Sequence, residues 1–270
     1  MPGWALVVEV VAHRGASEDA PEHTLAAYRR AVDLGADAVE ADVRLTADGS
    51  LVCVHDRRVD RTSDGRGPVS VMELADLAEL DFGSWKGTLP PDRLDPDRRT
   101  VLTLDTLLGY LVDCGRPVEL AVETKHPTRY AGLVERRLVE VLDRYGWAHP
   151  RLGRRVPVRV MSFSWLSLRR MRQLAPSVPA VYLMERVPLR FRDGTLPVHV
   201  GIAGPSIDVV REHPRYVHRV HRAGGRVHVW TVDEPADVAL CLDLGVDAII
   251  TNRPDDVLAR LGRGGPGPRT

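Results

Sequence analysis

Short apolar runs of strand length alternate with segments of helical period along almost the whole chain, and one gap in that alternation is too short for a crossover. The strand-length runs fall at 6–12, 37–44, 51–55, 118–124, 157–163, 179–184, 198–203, 226–232 and 247–251. Helical periodicity covers 23–34, 103–113, 130–145, 165–174, 207–223, 235–243 and 254–261, with Gly35, Gly115 and Gly224-Gly225 as stop signals. This alternation predicts a parallel α/β architecture. Between the second and third runs lies only Thr46-Ala47-Asp48-Gly49-Ser50. Parallel neighbours need a connection of roughly a dozen residues, so these two runs are expected to pair as an antiparallel hairpin turned at Asp48-Gly49. Eight strands then remain for a TIM-type (β/α)8 barrel, and 270 residues suit a fold that typically takes ~250.

Residues 60–100 match no barrel element. They are rich in Asp, Arg, Gly and Pro, with one short helical stretch near Val71–Leu80, and read as an insertion after the second-strand hairpin. The expected organisation is one catalytic barrel over 1–261, with a disordered Gly/Pro-rich tail at 262–270. The opening MPGWALVVEVVAHRG lacks a basic start and a small-residue cleavage site, so it reads as a first strand, not a signal peptide. No apolar run reaches the ~18–20 residues of a membrane span, which predicts no stable membrane insertion. The 37 basic and 37 acidic residues cancel, giving no bulk attraction to nucleic acid. Cys53, Cys114 and Cys241 are odd in number and far apart, which fits buried thiols in a reducing, cytoplasmic setting.

Chemistry is expected where barrel strands end. His13-Arg14-Gly15 closes the first run; His13 is either an acid/base or a core histidine, and Arg14 a candidate anion clamp. In Val39-Glu40-Ala41-Asp42-Val43 the alternation of strand side chains puts Glu40 and Asp42 on one face. Two carboxylates so placed repel each other unless a hard divalent cation or solvent relieves them. The hairpin returns His55 to this pair: opposite Asp42 if the turn centres on Asp48-Gly49, opposite Glu40 if the loop has four residues. Glu123 and Lys125 share a face at the end of 118–124, as metal ligand and phosphate contact or as a structural ion pair. Trp230 shares a face with His228 near the end of 226–232, either packing on a ligand's carbon skeleton or filling the core. Arg253 reads as a surface residue.

His13-Arg14-Gly15, Pro21-Glu22-His23-Thr24, Glu40-Ala41-Asp42, His55-Asp56, Glu123-Thr124-Lys125, Trp230-Thr231-Val232 and Thr251-Asn252-Arg253-Pro254 follow one another in an order that resembles the glycerophosphodiester phosphodiesterases. The resemblance spans about residues 8–260, and the segment from Arg61-Thr62 to Gly83-Ser84-Trp85 is similar to that family's small insertion. It implies a barrel enzyme that hydrolyses glycerophosphodiesters, such as glycerophosphocholine or glycerophosphoethanolamine, to glycerol 3-phosphate and an alcohol. By position it implies one divalent metal ion, Mg²⁺ or Ca²⁺, on Glu40, Asp42 and Glu123. It implies His13 and His55 as the acid/base pair, Arg14 and Lys125 on the phosphate, Glu22 near the metal or the substrate hydroxyls, and Trp230 beside the glycerol. One position departs: the family's usual Pro-Glu-Asn-Thr reads Pro-Glu-His-Thr here, which bears on the surroundings of Glu22.

The expected chemistry needs charge neutralisation on the non-bridging oxygens, a base for the nucleophile and an acid for the leaving oxygen. The nucleophile is the substrate's own glycerol hydroxyl, by resemblance, or a water. The nearest rival is a lysophospholipase D-type phosphodiesterase, which would need an apolar channel where 60–100 is polar. A metal-dependent aldolase on the same barrel and a phosphate-ligand sensor without turnover are the more distant rivals.

Overall fold

The computed structural model describes residues 8–87, 95–126, 132–151, 153 and 156–263. In chain order the strands are β1 (Glu9–His13), β2 (Ala38–Leu45), β3 (Leu51–Cys53), β4 (Glu119–Thr124), β5 (Val158–Ser162), β6 (Ala180–Met184), β7 (Ile202–Pro205), β8 (Arg226–Val229) and β9 (Ala248–Thr251). The helices are α1 (Leu25–Leu34), α2 (Leu74–Ala78), α3 (Pro96–Arg99), α4 (Leu104–Asp113), α5 (Leu133–Arg144), α6 (Trp165–Leu174), α7 (Ile207–Glu212), α8 (Arg215–Arg222), α9 (Pro235–Leu244) and α10 (Pro254–Arg260). Eight parallel strands run β1-β2-β4-β5-β6-β7-β8-β9, and β9 pairs back onto β1, closing the barrel. The ninth, β3, pairs antiparallel with β2, as the five-residue gap demands.

Local chemistry sets the strand-to-helix turns. Thr24, Thr103, Ser164 and Ser206 each accept a backbone N–H of the first turn of α1, α4, α6 and α7. Gly35 ends α1 in the left-handed region, at φ 93°, where a side chain would be strained. The outer faces of the strands bury Val39, Ala41 and Val43, or Val227 and Val229, against the helices. The inner faces form three layers. Val11, Ala38, Ala121, Met161, Val181, Ile202 and Ala248 make an apolar middle. Below it, toward the strand N-termini, Arg159 bridges Glu9 and Glu119 beside His228. Above it stand His13, Glu40, Glu123 and Trp230.

Several expectations need correction. The hairpin register is neither of the two considered: Val43 pairs Cys53 and Leu45 pairs Leu51. The loop spans Thr46 to Ser50, closed by a hydrogen bond from the Ser50 N–H to the Thr46 hydroxyl (2.8 Å), and its odd length centres the pairing on Asp48. His55 therefore lies beyond the ladder, and the chain bends to bring it inward. The segment 207–223 is two helices, because Pro214 offers no N–H and disfavours helical geometry at His213, where φ is −134° and ψ 58°. The seventh strand lies at Ile202–Pro205 instead of 198–203, and β8 stops at Val229. Residues 6–7, 130–131 and 264–270, including most of the expected tail, lie outside the described residues, as do 88–94 of the insertion. The described part of that insertion packs Val69, Leu77 and Phe82, with Val59 just before it, on Val52 and Val54 around β3.

Candidate active site

β2 supplies the centre of the site. Glu40 and Asp42 point into the barrel and are 1% exposed each, and Glu123 of the adjacent β4, in register with Asp42, is 8% exposed. One oxygen from each of the three lies within 4.8 Å of the others. Three negative charges in so small a buried volume are costly unless countered. Two cations partly counter them. Lys125 Nζ lies 2.8 Å from Glu123 Oε1 and 3.2 Å from Asp42 Oδ1. Arg14 Nε lies 3.2 Å from Asp42 Oδ2, and its backbone N–H donates to Glu40 Oε2 (3.1 Å). Arg14 adopts φ 59° and Gly15 φ 83°, the conformation that turns this amide inward; a Cβ on Gly15 would come within 2.6 Å of Ala27.

The remaining imbalance shows in the carboxyls. Burial, then the neighbouring Asp42 charge, pushes Glu123 up to about 8. The same two causes raise Glu40 well above the usual carboxylate range. For Asp42 burial acts upward, but the His23 hydrogen bond and the charges of Lys125, His23 and Arg14 outweigh it and hold the group well down. An all-oxygen, buried, over-negative triad is the donor set a hard divalent cation prefers. Glu40, Asp42 and Glu123 therefore fit a metal ion.

Two histidines flank the triad, and their hydrogen bonds assign their tautomers. Asn252 Nδ2 donates to Asp233 Oδ2 (2.6 Å), which turns Asn252 Oδ1 toward His13 Nδ1 at 2.7 Å. An amide oxygen only accepts, so His13 Nδ1 carries the proton and Nε2 holds the lone pair. His55 Nδ1 likewise meets Asp56 Oδ1 at 2.7 Å and donates to it. His55 is held from behind by Arg44, whose guanidinium donates to the His55 carbonyl at 2.6 and 2.9 Å. Burial, then the Arg14 charge, lowers His13 to about 3; burial also lowers His55. Both rings line a cavity of about 190 Å³ with Arg14, Glu40, Glu123, Lys125 and Trp230. Trp230 anchors itself by donating Nε1–H to the Gly204 carbonyl (2.7 Å) and meets Phe163 edge-on, with ring centroids 5.4 Å apart.

Glu22 stands behind Arg14, not on the cavity wall. It accepts from Arg14 Nη1 (3.0 Å) and takes both Nη groups of Arg61 (2.7 and 2.8 Å). Arg61 Nε donates in turn to Asp56 Oδ2 (2.7 Å). One guanidinium thus ties the support of Arg14 to the support of His55. His23, the position that departs from the family pattern, is buried and reaches Asp42, not Glu22: its Nε2 lies 2.9 Å from Asp42 Oδ2, and Nδ1 2.9 Å from the Tyr28 hydroxyl. Tyr28 donates to the Glu40 carbonyl (3.1 Å). Sequence reasoning gave no role to Arg61, Asn252 or Asp233. Barrel closure could have found Asn252, because the last strand must end beside the first; nothing comparable locates Arg61. Arg253 sits on the rim with Glu18 at 3.3 Å, as its surface reading implied.

Known proteins resemble this chain over most of its length. The family model for the glycerophosphoryl diester phosphodiesterase family matches residues 13–256. A probable glycerophosphodiester phosphodiesterase 1 of Mycobacterium tuberculosis is 48% identical over 93% of this chain and 92% of its own length. A glycerophosphodiester phosphodiesterase of Bacillus subtilis is 36% identical over 91% and 83%. Among solved structures, a phosphodiesterase of Oleispira antarctica in complex with the product sn-glycerol-3-phosphate aligns with TM-score 0.80 at 26% identity, covering 94% of this chain and 96% of that one.

Proposed function

Because the chain belongs to the glycerophosphoryl diester phosphodiesterase family, we propose that it hydrolyses glycerophosphodiesters such as glycerophosphocholine and glycerophosphoethanolamine, giving glycerol 3-phosphate and an alcohol. The observation that carries this reading is the pair of histidines, each anchored through Nδ1, lining one small cavity with Glu40 and Glu123 of the acidic triad and with the cations Arg14 and Lys125. The product bound to the Oleispira antarctica relative is the one this reaction would release.

Glu40, Asp42 and Glu123 would hold Mg²⁺ or Ca²⁺. Such an ion supplies positive charge against the phosphoryl oxygens. Arg14 and Lys125 would share the two non-bridging oxygens with it. One histidine accepts the proton of the attacking hydroxyl at Nε2. The other starts protonated at Nε2 and gives that proton to the leaving oxygen; the proton taken up by the first then passes back to the second, through solvent, before the next turnover. Asp56 stabilises a charged His55, and Asn252 fixes the ring of His13. Trp230 packs on the glycerol carbons.

Release of glycerol 3-phosphate from glycerophosphocholine is the direct test, run with and without chelator. We expect activity to vanish in chelator and return with Mg²⁺ or Ca²⁺. His13→Ala and His55→Ala should each lose roughly 10²-fold or more in kcat, the scale of general acid–base catalysis. Full turnover in chelator would remove the metal from the reaction, and near-normal turnover of either variant would remove that histidine.

A further inference from the structure

A second cavity opens on the same end of the barrel, and its lining differs in character from the first. At about 570 Å³ it is threefold larger than the 190 Å³ above the carboxylates. Glu185 lines both. Glu185 and Arg186 directly follow the last residue of β6, and α7 begins just after β7. The groove therefore opens at the rim between two strand exits, beside the candidate catalytic cavity.

Its walls carry four guanidiniums, from Arg186, Arg192, Arg215 and Arg219, against two carboxylates, Glu185 and Glu212. Arg215 and Arg219 are one turn apart on α8 and share a face. The opposite wall is fixed. Arg219 Nη1 donates to the Arg192 carbonyl (2.9 Å), and Gly194, at φ 96°, packs so closely on α8 that a Cβ there would lie 2.3 Å from the Arg219 backbone. Arg186, Arg192 and Arg215 are exposed, and among the described residues their guanidiniums have no acidic partner. Like charges held together in a groove favour an anion that bridges them, and the guanidinium fork matches phosphate oxygens two at a time. Four guanidiniums against two carboxylates leave the walls net positive, which favours an anion over a choline or ethanolamine cation.

The smaller cavity has room for the scissile phosphodiester and its glycerol, so whatever the leaving alcohol carries must extend past the rim. We propose that the arginine groove is a subsite for a second phosphate on that alcohol, and that the preferred glycerophosphodiesters are those whose leaving group is itself phosphorylated. The proposal rests on the phosphodiesterase reading and adds a substrate class to it.

The test compares two substrates that differ by one phosphate: glycerophosphoglycerol, and the same diester with a phosphate on its leaving glycerol. The wild-type holoenzyme should show a KM roughly tenfold lower for the phosphorylated substrate, an advantage that shrinks as salt rises. The double variant Arg186→Ala/Arg215→Ala should lose that advantage and turn over glycerophosphoglycerol as the wild type does, which also shows that it folds. Arg215→Glu should raise KM for the phosphorylated substrate alone. Equal KM values in the wild type, or an advantage that survives the double variant, would overturn the subsite while leaving glycerophosphoglycerol hydrolysis intact. Absence of turnover on both substrates would overturn the phosphodiesterase reading itself.

Discussion

The floor and the mouth of the barrel both place an arginine between two carboxylates, yet the two arrangements do different work. At the floor Arg159 reaches Glu9 at 2.9 Å and Glu119 at 3.0 Å from inside the barrel, its side chain only 5% exposed. At the mouth Arg61 reaches Glu22 and Asp56 at 2.7 Å each from the inserted segment, with its side chain 44% exposed. The floor glutamates still touch solvent, at 22% and 24% exposure, which relieves the charge that one arginine leaves uncancelled. At the mouth the bridged acids are supports, and the unbalanced charge lies one shell further in, on Glu40, Asp42 and Glu123. Each cluster is one negative charge in excess, but the floor opens its acids to solvent while the mouth buries them, and only the buried excess calls for a ligand.

Removing each arginine should separate the two roles, and this is the largest effect expected. Arg159→Met should cost about 3 kcal/mol of stability, the lower end for breaking a buried pair, because its partners are partly solvated. The glycerophosphodiesterase kcat/KM should hold. Arg61→Met should cost under ~1 kcal/mol, as exposed pairs do. Its kcat/KM should fall roughly tenfold, because His55 and Arg14 both lose their backing. Denaturant midpoints and steady-state kinetics on both variants check the pattern. Loss of activity in Arg159→Met at full stability would erase the contrast.

The same contrast explains what the sequence made legible. Strand alternation alone places Glu40 with Asp42 and Glu123 with Lys125, because a period of two leaves no choice of face. Hairpin length alone brings His55 back toward that pair. The register slipped by one, since a five-residue loop and its neighbours in length differ by a single hydrogen-bond step. The break at Pro214 was readable from the proline itself. Arg61 and His23 were not readable as supports. Arg61 depends on how a non-repetitive insertion folds back over the barrel, and His23 on a left-handed turn, at φ 60°, that aims its ring at Asp42.

A second way to sharpen the comparison uses pH. Glu123, raised from 4.5 to about 8, keeps its proton in the metal-free folded state where the unfolded chain has lost it. Its contribution is present below about pH 4.5 and is lost as pH rises through about 8. Asp42 acts in the opposite sense, stabilising above its ordinary 3.8 and losing that only in acid. His13 and His55, both lowered from 6.5, cost stability below about 6.5, so above neutrality the histidines drop out and Glu40, raised like Glu123, is present in both proteins compared. Between pH 7 and 8 the metal-free wild type should lose up to ~1.4 kcal/mol relative to Glu123→Gln, the slope for one proton per pH unit. Added divalent cation should stabilise the wild type more at pH 8 than at pH 7, because binding needs the ionised carboxylates. Parallel Tm curves for the two proteins in chelator would mean that Glu123 is ionised throughout and that the mouth balances its own charge.

The smallest effect probes the floor from its neutral side. His228 is 1% exposed and points into the barrel beneath Trp230, yet neither of its nitrogens has a hydrogen-bond partner among the described residues. Burial, then the charges of Arg159 and Arg226, keeps its ring neutral. Neutral and without a protein partner among the described residues, it bears a desolvation cost that no protein hydrogen bond offsets. His228→Leu, close in volume, should therefore gain up to about 1 kcal/mol in stability and leave kcat/KM unchanged, whereas His13→Ala at the mouth should cost two orders of magnitude in turnover. A clear loss of stability in His228→Leu would show that the floor holds a bound polar partner on those nitrogens. The distinction between a solvent-relieved floor and a ligand-seeking mouth would then have to be redrawn around two sites.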